Sequence, residues 1–376
     1  MSMPKRVIHI FGWLNKCGAE TRIMDVYRNI DRKKVQFDFI SMTKGPQYFD
    51  NEIESLGGKL FKIENPRVTG IVNNYSIIKN ILKMHGPYDA LHAHTAHHEG
   101  IALMAAKAAG IPVRIAHART TGTQRGTLFR SFQFFLGRTL INRYATHRIG
   151  ISQNACDYLF GTQSNSSVKT KVIPNAIDLN NFLDVSALKI TKLKKELSIP
   201  DNSFVIGHIG RFQKVKNHSF LIRLFKHITV VHPESRLLLV GDGELRESIE
   251  NLASSLGIHE HVIFTGVRDD IPELLNCMDI CVIPSFYEGL CTVAIEAQAA
   301  GIPCLVSDRL PKEINMELDL VTYFPLEKTI DEWLEKVISL TNTKRPGRNE
   351  IFAAFSSKGF LLENEIDELF SMYGVT

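Results

Sequence analysis

The stretch Ser285–Asp308 reads SFYEGLCTVAIEAQAAGIPCLVSD, and its pattern decides the fold of the region around it. The apolar run Ile280–Pro284 precedes it, and a turn with Gly289 separates that run from a helical pattern of small residues. Gly301-Ile302-Pro303 ends the helix before another apolar run, so the order is strand, turn, helix, strand. Such βαβ units build parallel sheets, whose ligands bind outside the carboxyl ends of the strands.

Two glutamates belong to this unit, Glu288 in the loop and Glu296 in the helix, eight residues apart. A solvated surface position would explain either glutamate alone. Glu288, however, lies where a ligand crevice is expected, beside the amides of Gly289, Leu290 and Cys291 at the helix N-terminus. Glu296 interrupts a face of small apolar residues. The two glutamates together therefore predict a binding site.

This segment closely resembles the carboxylate pair of the retaining glycosyltransferases of family 4, in which seven residues separate two glutamates. It is similar in particular to bacterial exopolysaccharide and capsule glycosyltransferases, and the resemblance runs from Arg6 to about Trp333. The resemblance implies a GT-B fold, a nucleotide-sugar donor and retention of anomeric configuration. It also implies that Glu296 holds the ribose hydroxyls, while Glu288 and the amides of Gly289–Cys291 hold the hydroxyls of the sugar.

The bulk properties are those of a large soluble enzyme. At 376 residues the chain exceeds one ordinary core, so two domains are expected. No apolar run reaches the roughly 18 residues that span a bilayer, and the N-terminal run is too short for a signal peptide. The six cysteines form neither a zinc pattern nor a dense disulfide framework, which favours free thiols in the cytoplasm.

Apolar strands alternate with amphipathic helices, which predicts an α/β architecture of two Rossmann-like domains with mainly parallel sheets facing across a cleft. We expect an N-terminal acceptor-side domain at 1–180 and a C-terminal nucleotide-sugar domain at 181–376. The linker is placed at about 178–203, and the last helix is a candidate to fold back on the first domain. The predicted strands are Val7–Phe11, Phe37–Met42, Lys59–Ile63, Ala90–Ala93, Val113–His117, Arg148–Ser152, Lys171–Pro174, Phe204–Ile209, Arg236–Val240, His261–Phe264, Ile280–Pro284 and Cys304–Ser307.

Two cations follow the first strand of the second domain in the loop GHIGRFQKVKN, residues 207–217. Arg211 and Lys216 suit a diphosphate, although basic loop residues are usually only solvated. The loop resembles the Gly-Arg-Leu/Phe-x-x-x-Lys motif of the family, which implies that both are diphosphate ligands; Lys214 does not match that motif. A second glycine-rich turn at Gly241 is a candidate wall of the nucleotide pocket, and the resemblance places Val267 near the base.

The first domain offers the loop Asn15–Glu20, which resembles the Gly-Gly-Ala-Glu loop of the family. Cys17 replaces its first glycine and leaves Gly18 to approach the donor diphosphate. Cys17 and Cys291 would then flank that diphosphate, and we expect them to be the more reactive thiols. No GxGxxG is present, which disfavours a nicotinamide enzyme.

Histidines are concentrated in the first domain, at 92, 94, 97, 98 and 117. His92 and His94 alternate along a strand without an accompanying carboxylate or cysteine pair, so we expect no metal site and no cofactor. His117 matches the family histidine that faces the donor sugar; the alternative is a hydrogen-bonded histidine at a strand end. The missing Asp-x-Asp signature favours a metal-independent enzyme, in which protein cations stabilise the leaving group.

The segment Gly100–Cys156 contains no acidic residue and eight lysines and arginines, with aromatic residues between them. This favours contact with a membrane surface through 119–148, or else a buried helix with an arginine-rich face. The net charge of +4 and the absence of a recognisable binding fold argue against nucleic acid.

These features predict a retaining hexosyltransferase that moves a sugar from a nucleotide sugar, UDP-linked in our interpretation, to a glycan or lipid-linked acceptor in exopolysaccharide or capsule synthesis. Its catalytic residues would be Glu288, His117, Arg211 and Lys216. We expect a cytoplasmic enzyme that is peripheral at the inner face of the cell membrane. The alternatives are a sugar-nucleotide epimerase and a catalytically silent scaffold of the same fold. A glycoside hydrolase is disfavoured, because eight helical residues would set the two glutamates roughly 12 Å apart.

Overall fold

A computed structural model describes residues 3–120, 128–161, 168 and 170–375, without the side chains of 128–131. The chain divides into two compact units. Unit 1 comprises Met1–Ile177 and Gly359–Thr376, and unit 2 comprises Asp178–Lys358. Each unit is an α/β domain built on a parallel sheet, which confirms the predicted fold class.

The described part of unit 1 contains a seven-stranded sheet in the order β3-β2-β1-β4-β5-β6-β7. Its inner strands are largely buried because helices cover both faces of a parallel sheet. The strands are β1 Lys5–Phe11, β2 Val35–Ser41, β3 Leu60–Lys62, β4 Ala90–Ala93, β5 Val113–Ala118, β6 His147–Gly150 and β7 Thr170–Val172. The helices are α1 Gly18–Asn29, α2 Asp50–Ser55, α3 Pro66–Thr69, α4 Ile71–His85, α5 Glu99–Ala108, α6 Leu128–Tyr144 and α7 Gln153–Phe160, with a 3-10 turn at Ala96–His98.

Unit 2 contains a six-stranded sheet in the order β10-β9-β8-β11-β12-β13. The strands are β8 Val205–Ile209, β9 Arg236–Val240, β10 Val262–Phe264, β11 Ile280–Ile283, β12 Cys304–Ser307 and β13 Val321–Phe324. The helices are α8 Leu179–Leu183, α9 Ala187–Glu196, α10 His218–Val231, α11 Arg246–Ser255, α12 Ile271–Asn276, α13 Thr292–Ala299, α14 Ile330–Ser339 and α15 Arg348–Ser357, with 3-10 turns at Lys214–Lys216, His259–His261 and Lys312–Ile314.

The last helix, α16 Leu362–Tyr373, packs in unit 1 rather than with unit 2, which directly precedes it in sequence. Leu362, Leu369 and Tyr373 are buried in the apolar core of unit 1, beside residues of α1 and β2. Backbone hydrogen bonds between Ile177 and residues 360–362 join the end of the first chain segment of unit 1 to the start of its second segment. Unit 1 is therefore completed by the carboxyl terminus of the chain.

The segment predicted as a linker is largely helical. Both α8 and α9 lie within 178–203, and α9 packs against α12 of unit 2. Ser186 caps α9 by accepting a hydrogen bond from the amide of Lys189, and Leu193 is the buried residue of this helix. The charged run is the solvated face of this amphipathic helix, and the segment is part of unit 2.

Strand β13 was missed from the sequence. It pairs with β12 at the edge of the sheet, and its four residues are only half-buried. A half-buried edge strand lacks the continuous apolar run that identified the inner strands. Its threonine and tyrosine are ordinary strand residues, but four positions are too few for a periodicity to be recognised.

Three loops come into close contact at the carboxyl edge of the unit 2 sheet. Gly241, after β9, has φ +134° and donates its N–H to the carbonyl of Gly266 at 2.9 Å. A Cβ at Gly241 would lie 2.3 Å from the carbonyl oxygen of Gly210, after β8. Only glycine allows this approach of two backbones, so Gly241 positions the loop that carries Arg211.

The substitution Gly241→Ala should therefore destabilise unit 2 and displace the loop after β8. We expect a loss of about 2 kcal/mol or more in unfolding free energy, because the clash is with backbone and the φ value is strained for alanine. Urea denaturation would measure it. Gly347→Ala is the matched control, since a Cβ there meets nothing within 4 Å and φ is −74°. Equal stability of the two variants would contradict this role.

Candidate functional site

An ion pair joins two of the predicted site residues in unit 2. The Lys216 ammonium nitrogen lies 2.8 Å from both carboxylate oxygens of Glu288. Lys216 follows β8 and Glu288 follows β11, and these strands are neighbours in the sheet. Their carboxyl ends therefore lie side by side, at the point where the chain direction across the sheet reverses.

Further hydrogen bonds hold these two loops together. The Phe286 amide donates to the Val215 carbonyl at 2.9 Å, and the Asn217 side-chain amide donates to the Pro284 carbonyl at 3.2 Å. The Ser285 hydroxyl donates to Glu288 Oε1 at 2.8 Å. Glu288 is thus fixed by an ammonium and a hydroxyl. The ammonium still has one N–H for another acceptor, because two of its three protons face Glu288.

The electrostatics keep Lys216 charged. Burial lowers its pKa, but the Glu288 carboxylate more than compensates, and the net pKa of Lys216 is raised. Two histidines beneath the loop stay neutral. Burial lowers the pKa of His208 to about 4 and that of His218 to about 2. The positive charge of this buried region is therefore concentrated on Lys216.

The remaining predicted donor ligands of unit 2 have diverse environments. Arg211 is exposed at the start of the loop after β8, and Val267 is 62% exposed after β10. Glu296 is buried on α13. Gly289 leads from Glu288 towards that helix, and the Leu290 side chain is buried.

The expectation of a reactive Cys291 was wrong. The side chain is fully buried, and burial raises the pKa of its thiol well above the ordinary value, with Glu288 adding to the effect. Cys17 differs because it is only partly buried, at the N-cap of α1. A Cβ on the neighbouring Gly18 would meet no atom within 4 Å, so packing in unit 1 does not require glycine there.

In unit 1, His117 lies near the carboxyl end of β5 and is buried. Its Nδ1 lies 3.0 Å from Nε2 of His92, and the two rings are stacked 5.1 Å apart. His92 Nδ1 in turn lies 2.8 Å from the Tyr373 hydroxyl on α16. His117 is therefore part of a buried polar chain.

Two more histidines join this cluster, and among the described residues they raise the question of a metal. Ring nitrogens of His9, His92 and His94 all lie within 4.8 Å of one another. Three imidazoles could hold a zinc-like ion. However, both nitrogens of His92 already take part in hydrogen bonds, and His9 Nδ1 pairs with His94 Nε2 at 3.1 Å. A metal would have to break these contacts, so the cluster fits a hydrogen-bonded network better than a metal site.

The cationic segment is less exposed than its composition suggested. Arg114, Arg138 and Arg148 donate to backbone carbonyls within unit 1. On α6, however, Phe132 and Phe135 are 62% and 67% exposed. The part at 121–127 lies outside the described residues. Over the described part of the chain, no helix combines the length and the apolar character that crossing a membrane requires.

Comparisons with known proteins identify the family. Residues 17–181 match the model of Glycosyltransferase Family 4, and residues 189–365 match that of Glycosyl transferases group 1. A Bacillus subtilis protein named putative glycosyltransferase EpsF is 34% identical over 376 residues, which covers 100% of this chain and 98% of that protein. The chain belongs to the family 4 glycosyltransferases.

Other relatives agree with this glycosyltransferase assignment. An Escherichia coli protein, named UDP-Gal:alpha-D-GlcNAc-diphosphoundecaprenol alpha-1,3-galactosyltransferase, is 25% identical over 95% of this chain and 93% of its own length. The crystal structure of Anabaena Alr3699/HepE in complex with UDP and glucose superposes with a TM-score of 0.78 at 20% identity, covering 98% and 99% of the two chains. The fold is GT-B.

Sequence reasoning missed several polar residues of this glycosyltransferase. Ser285 could have been found, because it precedes Glu288 by three residues in the loop. The partners Tyr373 and Glu365 could not, because they lie on α16, more than 180 positions from the residues they contact. Glu365 is buried, and its Oε2 accepts the Ala176 amide at 3.0 Å.

Glu365 predicts a pH dependence of stability. Burial raises its pKa to about 7, although Arg119, the Ala176 amide and Arg22 lower it. The folded glycosyltransferase thus keeps a proton that the unfolded chain loses, so stability falls as pH rises from about 4.5 to 7 and then levels. Since one pKa unit corresponds to about 1.4 kcal/mol, Glu365→Gln should gain about 3 kcal/mol relative to wild type between pH 4.5 and 8.

Urea denaturation at several pH values measures this difference. Glu363→Gln, an exposed glutamate on the same helix, is the control and should follow wild type at every pH. A Glu365→Gln variant with the same pH profile as wild type would show that the carboxyl is ionised in the folded protein.

Proposed function

We propose that this glycosyltransferase transfers a sugar from a UDP-sugar to a glycan or lipid-linked acceptor in exopolysaccharide synthesis. The transfer retains anomeric configuration, as the resemblance implies, and requires no metal. Unit 2 binds the nucleotide, with Glu296 on the ribose and Arg211 and Lys216 on the diphosphate. Glu288 and the backbone of Gly289–Cys291 bind the sugar, and His117 is the contribution of unit 1.

The Lys216–Glu288 pair carries this proposal. A partly buried ammonium whose charge is maintained by a carboxylate is suited to an incoming diphosphate, and the carboxylate is suited to sugar hydroxyls. Both lie at the switch point of a parallel sheet, where such folds bind ligands. Arg211 adds a second cation on the same loop, with the planar fork that fits a phosphate.

The reaction follows from this arrangement. The bond between the anomeric carbon and the diphosphate oxygen breaks, and its electron pair stays on the diphosphate. The acceptor hydroxyl oxygen forms the new bond, and its proton passes to the departing diphosphate. Lys216 and Arg211 stabilise the charge that grows on the leaving group, and one such fixed donor is typically worth about 3 kcal/mol.

The named relatives support the choice of donor and acceptor. The Escherichia coli relative is named for transfer from UDP-Gal to a diphosphoundecaprenol-linked sugar, and the Anabaena structure holds UDP and glucose. Two other activities remain for comparison. An epimerase would change the sugar without transfer, whereas a silent scaffold would release no UDP. Mass spectrometry of UDP release and sugar products across a panel of UDP-sugars separates the three.

The ion pair predicts a matched pair of variants. Lys216→Ala should lower turnover roughly 100-fold or more, because it removes a donor to the transition state. Lys214→Ala removes the same charge two residues away, where the side chain is exposed, and should change turnover less than twofold. UDP release from the preferred UDP-sugar in excess EDTA is the assay.

Two outcomes would contradict the proposal. Equal losses in the two lysine variants would mean that Lys216 acts only through general charge. Abolition of wild-type activity by EDTA with rescue by magnesium or manganese would overturn the metal-independent mechanism.

We also propose that α6 holds the enzyme at an anionic membrane surface, as a lipid-linked acceptor would require. The exposed side chains of Phe132 and Phe135 supply the apolar contact, on a segment without acidic residues. The double change Phe132→Ser with Phe135→Ser should reduce sedimentation with anionic liposomes severalfold. The control is Val230→Ser with Val231→Ser, two exposed apolar residues of unit 2. Equal binding of both variants would remove α6 from this role.

A further inference from the structure

A hydrogen-bonded chain runs from α16 to His117. The Tyr373 hydroxyl lies 2.8 Å from His92 Nδ1, and His92 Nε2 lies 3.0 Å from His117 Nδ1. All three side chains are almost fully buried. His117 Nε2 is the end of the chain, and no described residue gives it a hydrogen-bond partner.

The charge states in this chain follow from its burial. Burial lowers the pKa of His92 and of His117 well below the ordinary value and raises that of Tyr373, so both imidazoles are neutral and the phenol keeps its proton. A neutral imidazole has one donor nitrogen and one acceptor nitrogen. A buried donor without an acceptor costs about 1–3 kcal/mol. If Tyr373 donates to His92 Nδ1, the open donor of the chain is His117 Nε2–H, whereas the reverse direction leaves the Tyr373 hydroxyl proton without a described acceptor.

The direction of each bond follows from the first one. With Tyr373 as the donor to His92 Nδ1, the proton of His92 is on Nε2. That nitrogen donates to His117 Nδ1, which places the proton of His117 on Nε2. The hydroxyl on the last helix thereby decides which nitrogen of His117 is the donor.

A parallel pair of histidines has the same orientation for a different reason. Arg119 Nε lies 3.4 Å from His94 Nδ1, and His94 Nε2 lies 3.1 Å from His9 Nδ1. A guanidinium can only donate, so His94 accepts on Nδ1 and donates from Nε2. The His94–His9 pair is an internal reference, because the tautomers of these two histidines are set by Arg119 and not by Tyr373.

We propose that Tyr373 is a positioning residue that holds His117 as the Nε2–H tautomer, so that His117 meets the sugar as a hydrogen-bond donor and not as a base. The role at the sugar rests on the function proposed above, whereas the tautomer does not. A donor cannot take the proton of the acceptor hydroxyl. This agrees with a mechanism in which that proton leaves with the diphosphate.

Long-range ¹H–¹⁵N NMR of the full-length protein, labelled with ¹⁵N-histidine, tests the tautomer directly. In wild type we expect one neutral tautomer at His117, protonated at Nε2, with the signals assigned by their loss in His117→Asn. In Tyr373→Phe the single tautomer should be lost at His92 and His117. His94 and His9 should keep theirs.

Tyr27→Phe is the matched control, because Tyr27 is buried in the same core and its hydroxyl bonds instead to the carbonyls of Phe37 and Leu56. It should leave all four histidine spectra unchanged. A wild-type His117 protonated at Nδ1 overturns the proposal without any variant. Unchanged tautomers in Tyr373→Phe, or the same change in Tyr27→Phe, also overturn it.

Kinetics test the positioning role separately. Loss of the fixed donor in Tyr373→Phe should lower kcat roughly five- to tenfold, as expected for one weakened hydrogen bond in the transition state, with KM for the UDP-sugar little changed. Tyr27→Phe should keep the wild-type kcat. Full activity in His117→Asn would overturn the role of His117 at the sugar, and the NMR result would still stand or fall by itself.

Discussion

Parallel strands end at a common edge, and that constraint assembles the polar residues of both units. Lys216 and Glu288 are 72 positions apart, yet their ammonium and carboxylate meet because β8 and β11 are neighbours. In unit 1 the same rule brings His92 and His117 together from β4 and β5. The side chains come from loops and strand ends, but the sheet order decides which of them can touch.

The elements that sequence predicted best are the buried strands. Ala90–Ala93, Arg236–Val240 and Cys304–Ser307 have the predicted bounds, because helices on both faces require continuous apolar runs. The half-buried edge strand β13 lacks such a run. The charged helix α9 has a composition that resembles a linker, but its buried Leu193 and its Ser186 cap make it part of unit 2.

For the candidate site, the sequence predicted the positions of the residues but not the partners of their side chains. The motifs of the second domain predicted that Lys216 and Glu288 follow strands, but a loop position does not determine the partner of a side chain. Cys291 illustrates the error that results. Its place at a helix N-terminus favours a thiolate, whereas its complete burial favours the thiol, and burial has the larger effect. Such a competition can be judged only after the depth of the side chain is known.

The same competition between burial and neighbouring charges gives Lys216 of unit 2 and the buried histidines of unit 1 different charge states. Lys216 is partly buried and the histidines near His117 are almost fully buried, and burial disfavours the charged form of each. Lys216 stays charged because a carboxylate lies 2.8 Å away, and the pair is stable only while both members are present. The histidines have phenol, guanidinium and imidazole neighbours instead, and none of these stabilises an imidazolium. Unit 2 thus offers fixed positive charge, suited to a leaving diphosphate. The buried histidines of unit 1 are neutral hydrogen-bonding groups instead.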